Sequence, residues 1–188
     1  DDKKCALSCY NHYFSGQEID KQRDKEYWTS WINTRMQETK SIIKKVDMFI
    51  APSKYLMNRF VNDFKVPTSK IIYLDYGFPT HYLQPVEHKN SDIYTFGYIG
   101  TQIPSKGINL LIKAFSKIEK KAILKIWGRT NGQSTTALKN LSRRSKNKIQ
   151  FCGEYINQNL AVEVFSKIDS IVVPSIWGEN SPLVIHEA

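Results

Sequence analysis

The chain reads as an α/β protein built on a Rossmann-like, doubly wound parallel sheet. Three observations predict it. From residue 93 onward, short apolar runs alternate with amphipathic stretches of helical spacing. The runs are continuously apolar, as strands covered on both faces are. A glycine or proline closes nearly every run, at Gly100, Gly128, Gly153 and Pro174.

Each element can be justified in turn. Between Asp20 and Lys45 the apolar residues Trp28, Trp31, Ile32, Met36, Ile42 and Ile43 fall at helical spacing among charged residues. This predicts a long amphipathic helix whose aromatics belong to the core. The run Met48-Phe49-Ile50-Ala51 stops at Pro52, and Ser53 is a good N-cap for a helix to about Phe64. Val66-Pro67 breaks that helix, and Ile71-Ile72-Tyr73-Leu74 reads as a buried strand. From about Thr80 to Asp92 periodicity is lost and polar residues gather around Pro85, the composition of a linker. The domain boundary is placed there, giving 1–86 and 87–188. Strands 93–99, 122–127, 149–152 and 170–173 then alternate with helices 107–118, 134–145 and 157–168, and a last helix opens at Ser181.

Composition narrows the classes. The chain has 188 residues, 41% of them hydrophobic and 24% charged, enough for one domain or two small ones with a core. No apolar run approaches the ~20 residues that cross a bilayer. The start Asp1-Asp2-Lys3-Lys4 leads into no signal-peptide core and carries no initiator Met, so the chain reads as an excised segment from a cytoplasmic protein. Cys5, Cys9 and Cys152 form no disulfide framework. Cys5, Cys9 and His12 have half the spacing of a metal site but no second ligand pair, so no metal is expected there. The net charge is +9, densest at Lys139, Arg143, Arg144, Lys146 and Lys148. That cluster is either a solvated helix face or an attraction to nucleic acid, an acidic membrane or phosphate-bearing substrates. Nucleic acid is disfavoured, because a binder would set stacking aromatics in the basic face and these aromatics keep core periods.

In such sheets ligands sit at the carboxyl ends of the strands, so the loops 100–106, 128–133, 153–156 and 174–181 should converge on one crevice. The first holds Lys106 at a helix start, where backbone amides already favour an anion. The last contains Ser181, a natural N-cap, and Pro182, the favoured first helical residue. Glu179 precedes that helix and Glu187 lies inside it. Two acceptor-only carboxylates beside an anion site suit a ligand that presents hydroxyls next to its phosphates.

Glu179 and Glu187, set in Pro-Ser-x-Trp-x-Glu-Asn-Ser-Pro-Leu-x-Ile-x-Glu-Ala, resemble the donor-site motif of family 4 glycosyltransferases, retaining enzymes of the GT-B architecture. Phe96-Gly97-Tyr98-Ile99-Gly100 with Pro104-x-Lys106-Gly107 is similar to the family's phosphate loop, and Ile126-x-Gly128 and Phe151-x-Gly153 match the next strand exits. Asp47-x-Phe49-Ile50-Ala51-Pro52-Ser53 and Lys70-Ile71-x-x-Leu74-x-x-Gly77 are similar to the end of its acceptor-side domain.

The resemblance implies that 1–86 is the tail of the acceptor-side domain and 87–188 the first part of a nucleotide-sugar donor domain. It implies a sugar or lipid-linked acceptor, membrane contact at the inner face, and no metal or other cofactor. Lys106 would neutralise the donor diphosphate, with Gly100 and the amides of Asn180, Ser181, Pro182 and Leu183 nearby. Glu187 would bind the ribose, Glu179 would lie near the transferred sugar, and Tyr155 would border the base. Many relatives carry arginine where this chain has Thr101, which would shift weight to Lys106 and Arg129. The chain stops at Ala188, so it is expected to be inactive alone and to need the remainder of both domains. The alternatives are a non-catalytic nucleotide- or sugar-binding module and a nucleotide-sugar epimerase.

Overall fold

A computed structural model describes residues 21–81, 83–87, 91–130 and 132–188; Cys5, Cys9 and His12 lie outside them. Two compact units divide between Leu74 and Asp75.

The first unit runs α1 (Lys21–Lys45), β1 (Phe49–Ala51), α2 (Lys54–Phe64) and β2 (Ile71–Tyr73), with β1 and β2 paired in parallel. Helix α2 starts where its cap dictates: Ser53 is extended and its hydroxyl accepts the Leu56 N–H at 3.1 Å. It ends on Lys65 in the left-handed region, after which Val66 turns inward to pack with Ala51 and Ile71. Strand β2 differs from the buried strand expected. Only Ile71 is buried, on the side Val66 covers, while Ile72 and Tyr73 in the strand and Leu74 after it are exposed. On α1, Ile32 takes a buried position, whereas Trp31 is exposed, set edge-on to Trp28 and beneath the Arg35 guanidinium.

The second unit holds β3 (Tyr94–Ile99), β4 (Ala122–Trp127), β5 (Lys148–Gly153) and β6 (Ser170–Ile171) in one four-stranded parallel sheet, in the order β5-β4-β3-β6. Strands β3 and β4 run in step from Tyr94 opposite Ala122 to Ile99 opposite Trp127. The short β6 is reinforced by Asp169, whose carboxylate accepts the Thr95 N–H at 2.6 Å and whose own N–H returns to Thr95 O. Apolar residues fill both faces. Tyr98, Leu124 and Ile126 pack with Ile108, Ile112 and Phe115 of α3 (Ile108–Phe115) and Leu138 of α4 (Gly132–Ser142). Trp127 packs with Leu160, Val164 and Ile168. Each fully buried Leu or Ile contributes about 1.5–3 kcal/mol over leaving it exposed.

Two local expectations are corrected. The stretch 157–168 is not one helix. It is a 3-10 turn, a four-residue helix α5 (Leu160–Glu163) and a second 3-10 turn, broken at Val164, whose φ is −120°. β-branched Val162 and Val164 and the polar start Asn157-Gln158-Asn159 give it low helix propensity. Residues 75–86, which composition places before the 86/87 boundary, group by contact with the second unit. Leu83, inside the apparent linker, packs on the Trp127 cluster of the second unit. Finally, the last helix α6 covers only Leu183–Glu187, with Pro182 rather than Ser181 at its cap and no side-chain capping bond.

Candidate functional site

The strand order decides where a ligand can sit. After β3 the chain builds outward to β4 and β5, then crosses back to lay β6 on β3's other edge. The loops leaving β3 and β6 therefore part at the switch point, where parallel sheets of this kind hold ligands.

These two loops are fastened to each other. Gly107 follows the 3-10 turn Pro104–Lys106 with φ 71°, and a Cβ there would lie 1.9 Å from Pro174 O. The Ile176 N–H donates to Ser105 O at 3.1 Å. This packing brings Lys106 Nζ to 2.5 Å from Glu179 Oε1, which also accepts the Ser175 hydroxyl at 2.5 Å. The Lys106 ammonium lies 5.2 Å from the centre of the Trp177 ring, a cation–π distance. Burial alone would raise the Glu179 carboxyl, but hydrogen bonds from Lys106, Ser175 and Trp177 and the charge of Lys106 outweigh it. The carboxyl is held below its ordinary range, hence ionised near neutrality. Burial, then the nearby Glu179 charge, pushes the Tyr98 phenol well above its usual value, so it stays a neutral donor, to Thr101 O at 2.9 Å. Lys106 and Glu179, assigned separate tasks from sequence, are one ion pair.

A second concavity, of about 270 Å³, opens at the exits of β3, β4 and β5, lined by Gly100, Thr101, Gly128, Arg129, Glu154 and Tyr155, among others. Its walls are stitched by Gln102, fully buried, whose N–H donates to Arg129 O and whose amide Nε2 donates to Gly128 O. Arg129 and Glu154 face each other at 3.8 Å with both side chains mostly in solvent. Gly100, Thr101, Arg129 and Tyr155 are thus brought together, apart from the Lys106–Glu179 pair.

The start of α6 departs from expectation. The Ser181 hydroxyl does not cap the helix: it donates to Asp75 Oδ1 at 2.8 Å and lies 2.8 Å from His186 Nε2. A carboxylate is the stronger acceptor for its single proton. Asn180 and Leu183 are exposed, Pro182 is half-buried and has no N–H to offer, and Glu187, half-buried, closes the helix. A five-residue helix carries little macrodipole, so the positive field here rests on Lys106. Among the described residues no three His, Cys, Asp or Glu side chains converge as metal ligands would.

Sequence reasoning missed Ser175, Trp177, Tyr98, Asp75 and His186. The first two stand in the same loop as Glu179 and could have been named with it. Asp75 is 106 residues from Ser181 and carries no local signal.

The family model described as glycosyl transferases group 1 matches residues 93–188, just over half of the chain. No curated protein sequence matches. A glycosyltransferase from Rickettsia africae ESF-5 is similar in structure with a TM-score of 0.65 and 17% identity, over 99% of this chain and 58% of that one. Anabaena Alr3699/HepE, solved with UDP and glucose, gives 0.56 and 18%, over 75% and 41%. The lipopolysaccharide outer core galactosyltransferase WaaB, in its apo form, gives 0.54 and 15%, over 75% and 40%. At these identities the likeness is one of fold: an α/β arrangement with parallel sheets, matching GT-B glycosyltransferase structures. The chain spans between 40% and 58% of the length of these structures.

Proposed function

Since the chain belongs to the group 1 glycosyl transferases, we propose that its second unit binds the nucleoside-diphosphate sugar of a retaining, family 4 type transferase. The first unit is then the tail of the acceptor-side domain. The observation that carries this reading is the Lys106–Glu179 pair at the switch point between β3 and β6.

The donor diphosphate takes Lys106 from Glu179, and the freed carboxylate turns to a hydroxyl of the sugar to be transferred. Lys106 then meets the charge that grows on the departing diphosphate, the largest electrostatic demand of the reaction. The site calls for no metal, since an ammonium supplies the field a cation would otherwise bring. The concavity lined by Thr101, Arg129 and Tyr155 receives the nucleoside, and Glu187, at the end of α6 and not in that lining, takes the ribose. A net charge of +9 suits a phosphate-bearing donor and, for a lipid-linked acceptor, an anionic membrane surface. HepE was solved with UDP and glucose, so UDP is the first nucleotide to test, before GDP and ADP.

Calorimetric titration of the chain tests the assignment. Lys106→Ala should weaken nucleoside diphosphate by about 1.5–3 kcal/mol, the worth of one charged contact. Glu187→Ala should weaken it as well. Glu179→Gln should bind free nucleotide at least as tightly as the wild type, because Lys106 loses its internal competitor, while sugar transfer by the whole enzyme falls. A wild-type chain that binds none of the three nucleotides refutes the reading.

A further inference from the structure

We propose that Asp75, the residue that opens the second unit, is a positioning residue of the donor site, holding α6 through Ser181 and His186. The inference rests on the donor-site reading above, and it makes residues 75–78 part of that site instead of a passive connection.

One carboxylate oxygen gathers the contacts. Asp75 Oδ1 accepts the Tyr76 N–H at 2.8 Å, which orients the carboxylate against its own backbone, and it accepts the Ser181 hydroxyl at 2.8 Å. His186 Nε2 stands 3.5 Å from the same oxygen. Proton counting fixes the remaining contact. Ser181 has one hydroxyl proton and gives it to Asp75, so at the 2.8 Å contact between Ser181 Oγ and His186 Nε2 the ring nitrogen must be the donor. Nε2 therefore carries a proton, directed at Ser181 with Asp75 just beyond. Phe78 closes the arrangement, its ring centre 5.9 Å from that of the imidazole. The side chains of Asp75 and His186 are only about a third exposed (34% and 29%), so these bonds are less diluted by water than surface pairs.

The need for such a hold follows from α6 itself. Five residues without a side-chain cap do not form a helix on intrinsic propensity, so tertiary contacts must impose its place and rotation. Ser181 lies two residues before the helix and His186 in its last turn, so Asp75 grips the element at both ends. Glu187 follows His186 directly, and Glu179 lies two residues before Ser181. Where these two carboxylates are presented depends on how α6 is held.

The test is a double-mutant cycle read by calorimetric binding of UDP, GDP and ADP to the full chain, alongside melting temperature without nucleotide. Asp75→Ala and Ser181→Ala should each weaken the nucleotide that the wild type binds by about tenfold, as expected for losing a charge-assisted hydrogen bond. The double variant should be no weaker than Asp75→Ala alone, since that variant already removes the Ser181 bond along with the contact to His186. Asp75→Asn and Ser181→Thr, which keep the acceptor oxygen and the hydroxyl, should recover most of the affinity; a general loss of stability would not be rescued in this way. Wild-type affinity in both alanine variants, or fully additive losses in the double variant, would overturn the role of Asp75. If Lys106→Ala loses affinity while Asp75→Ala keeps it, the positioning role falls and the donor-site reading stands. If the wild type binds no nucleotide, both fall. Should Asp75→Ala fail to fold, Ser181→Ala removes the same bond from the other side and decides the matter.

Discussion

The two halves of the sheet's carboxyl edge carry similar chemistry under different constraint. Each pairs a cation from one strand exit with a glutamate from another. On the β3–β6 side, Lys106 and Glu179 touch at 2.5 Å with side chains 29% and 19% exposed. On the β4–β5 side, Arg129 and Glu154 stand 3.8 Å apart with side chains 81% and 68% exposed. Both pairs sit on loops bonded backbone to backbone, Ile176 N–H to Ser105 O on the first side and Gly128 N–H to Gly153 O on the second, but only the first pair is drawn in from solvent, while the second borders an open concavity. Two cation–glutamate pairs therefore differ in energetic standing, because water is largely excluded from one and not from the other. The comparison also suggests a division of labour. Under the donor-site proposal, the constrained half presents charge at a fixed point for the diphosphate and the open half leaves room for the nucleoside.

Glycine substitutions give the largest test of this contrast. Gly107 and Gly153 both have positive φ, at 71° and 81°, but a Cβ at Gly107 would meet Pro174 O at 1.9 Å, whereas one at Gly153 meets nothing within 4 Å. Gly107→Ala should cost about 2–5 kcal/mol, backbone strain plus a clash that side-chain motion cannot relieve. Gly153→Ala should cost about 1–2 kcal/mol, the strain alone. Denaturant unfolding of the two variants measures both, and equal losses would erase the distinction between the halves.

The acid limb of stability gives an intermediate effect. The Glu179 carboxyl is held below its ordinary range in the folded chain, so its contribution is fully present above the unfolded carboxylate's titration. It is lost as pH falls through the lower folded value. Glu179→Gln should destabilise the chain near neutrality by about 1.5–3 kcal/mol, the range for hydrogen bonds to a charged group. The difference should shrink on acidification, and melting temperatures followed from pH 7 downward should converge. A gap that persists through the acid range would mean that the ion pair is not its source.

The smallest effect belongs to the exposed pair. Glu154→Ala should change stability by about 0.5 kcal/mol or less, and added salt should remove what difference there is. A loss comparable to that of Glu179→Gln would show the open half to be as constrained as the closed one.

Local signals in the sequence determined most of the sheet. Continuous apolar runs ending in glycine or proline located β3 to β6, and the cap at Ser53 located α2, because strand burial and capping are set by residues within a few positions of one another. The same logic placed Lys106 and Glu179 in the loops that leave β3 and β6. It misjudged 157–168, where apolar spacing was right but propensity was too weak to hold one helix, and β2, where hydrophobicity did not mean burial. Tertiary structure alone decided that Lys106 and Glu179 pair, that Leu83 joins the second unit, and that Ser181 serves Asp75 rather than the helix behind it. These contacts span tens to more than a hundred residues of chain, and a lone polar side chain carries no periodicity by which its distant partner could be read. The proton of a serine goes to the best acceptor within reach, and only the folded chain determines which acceptor that is.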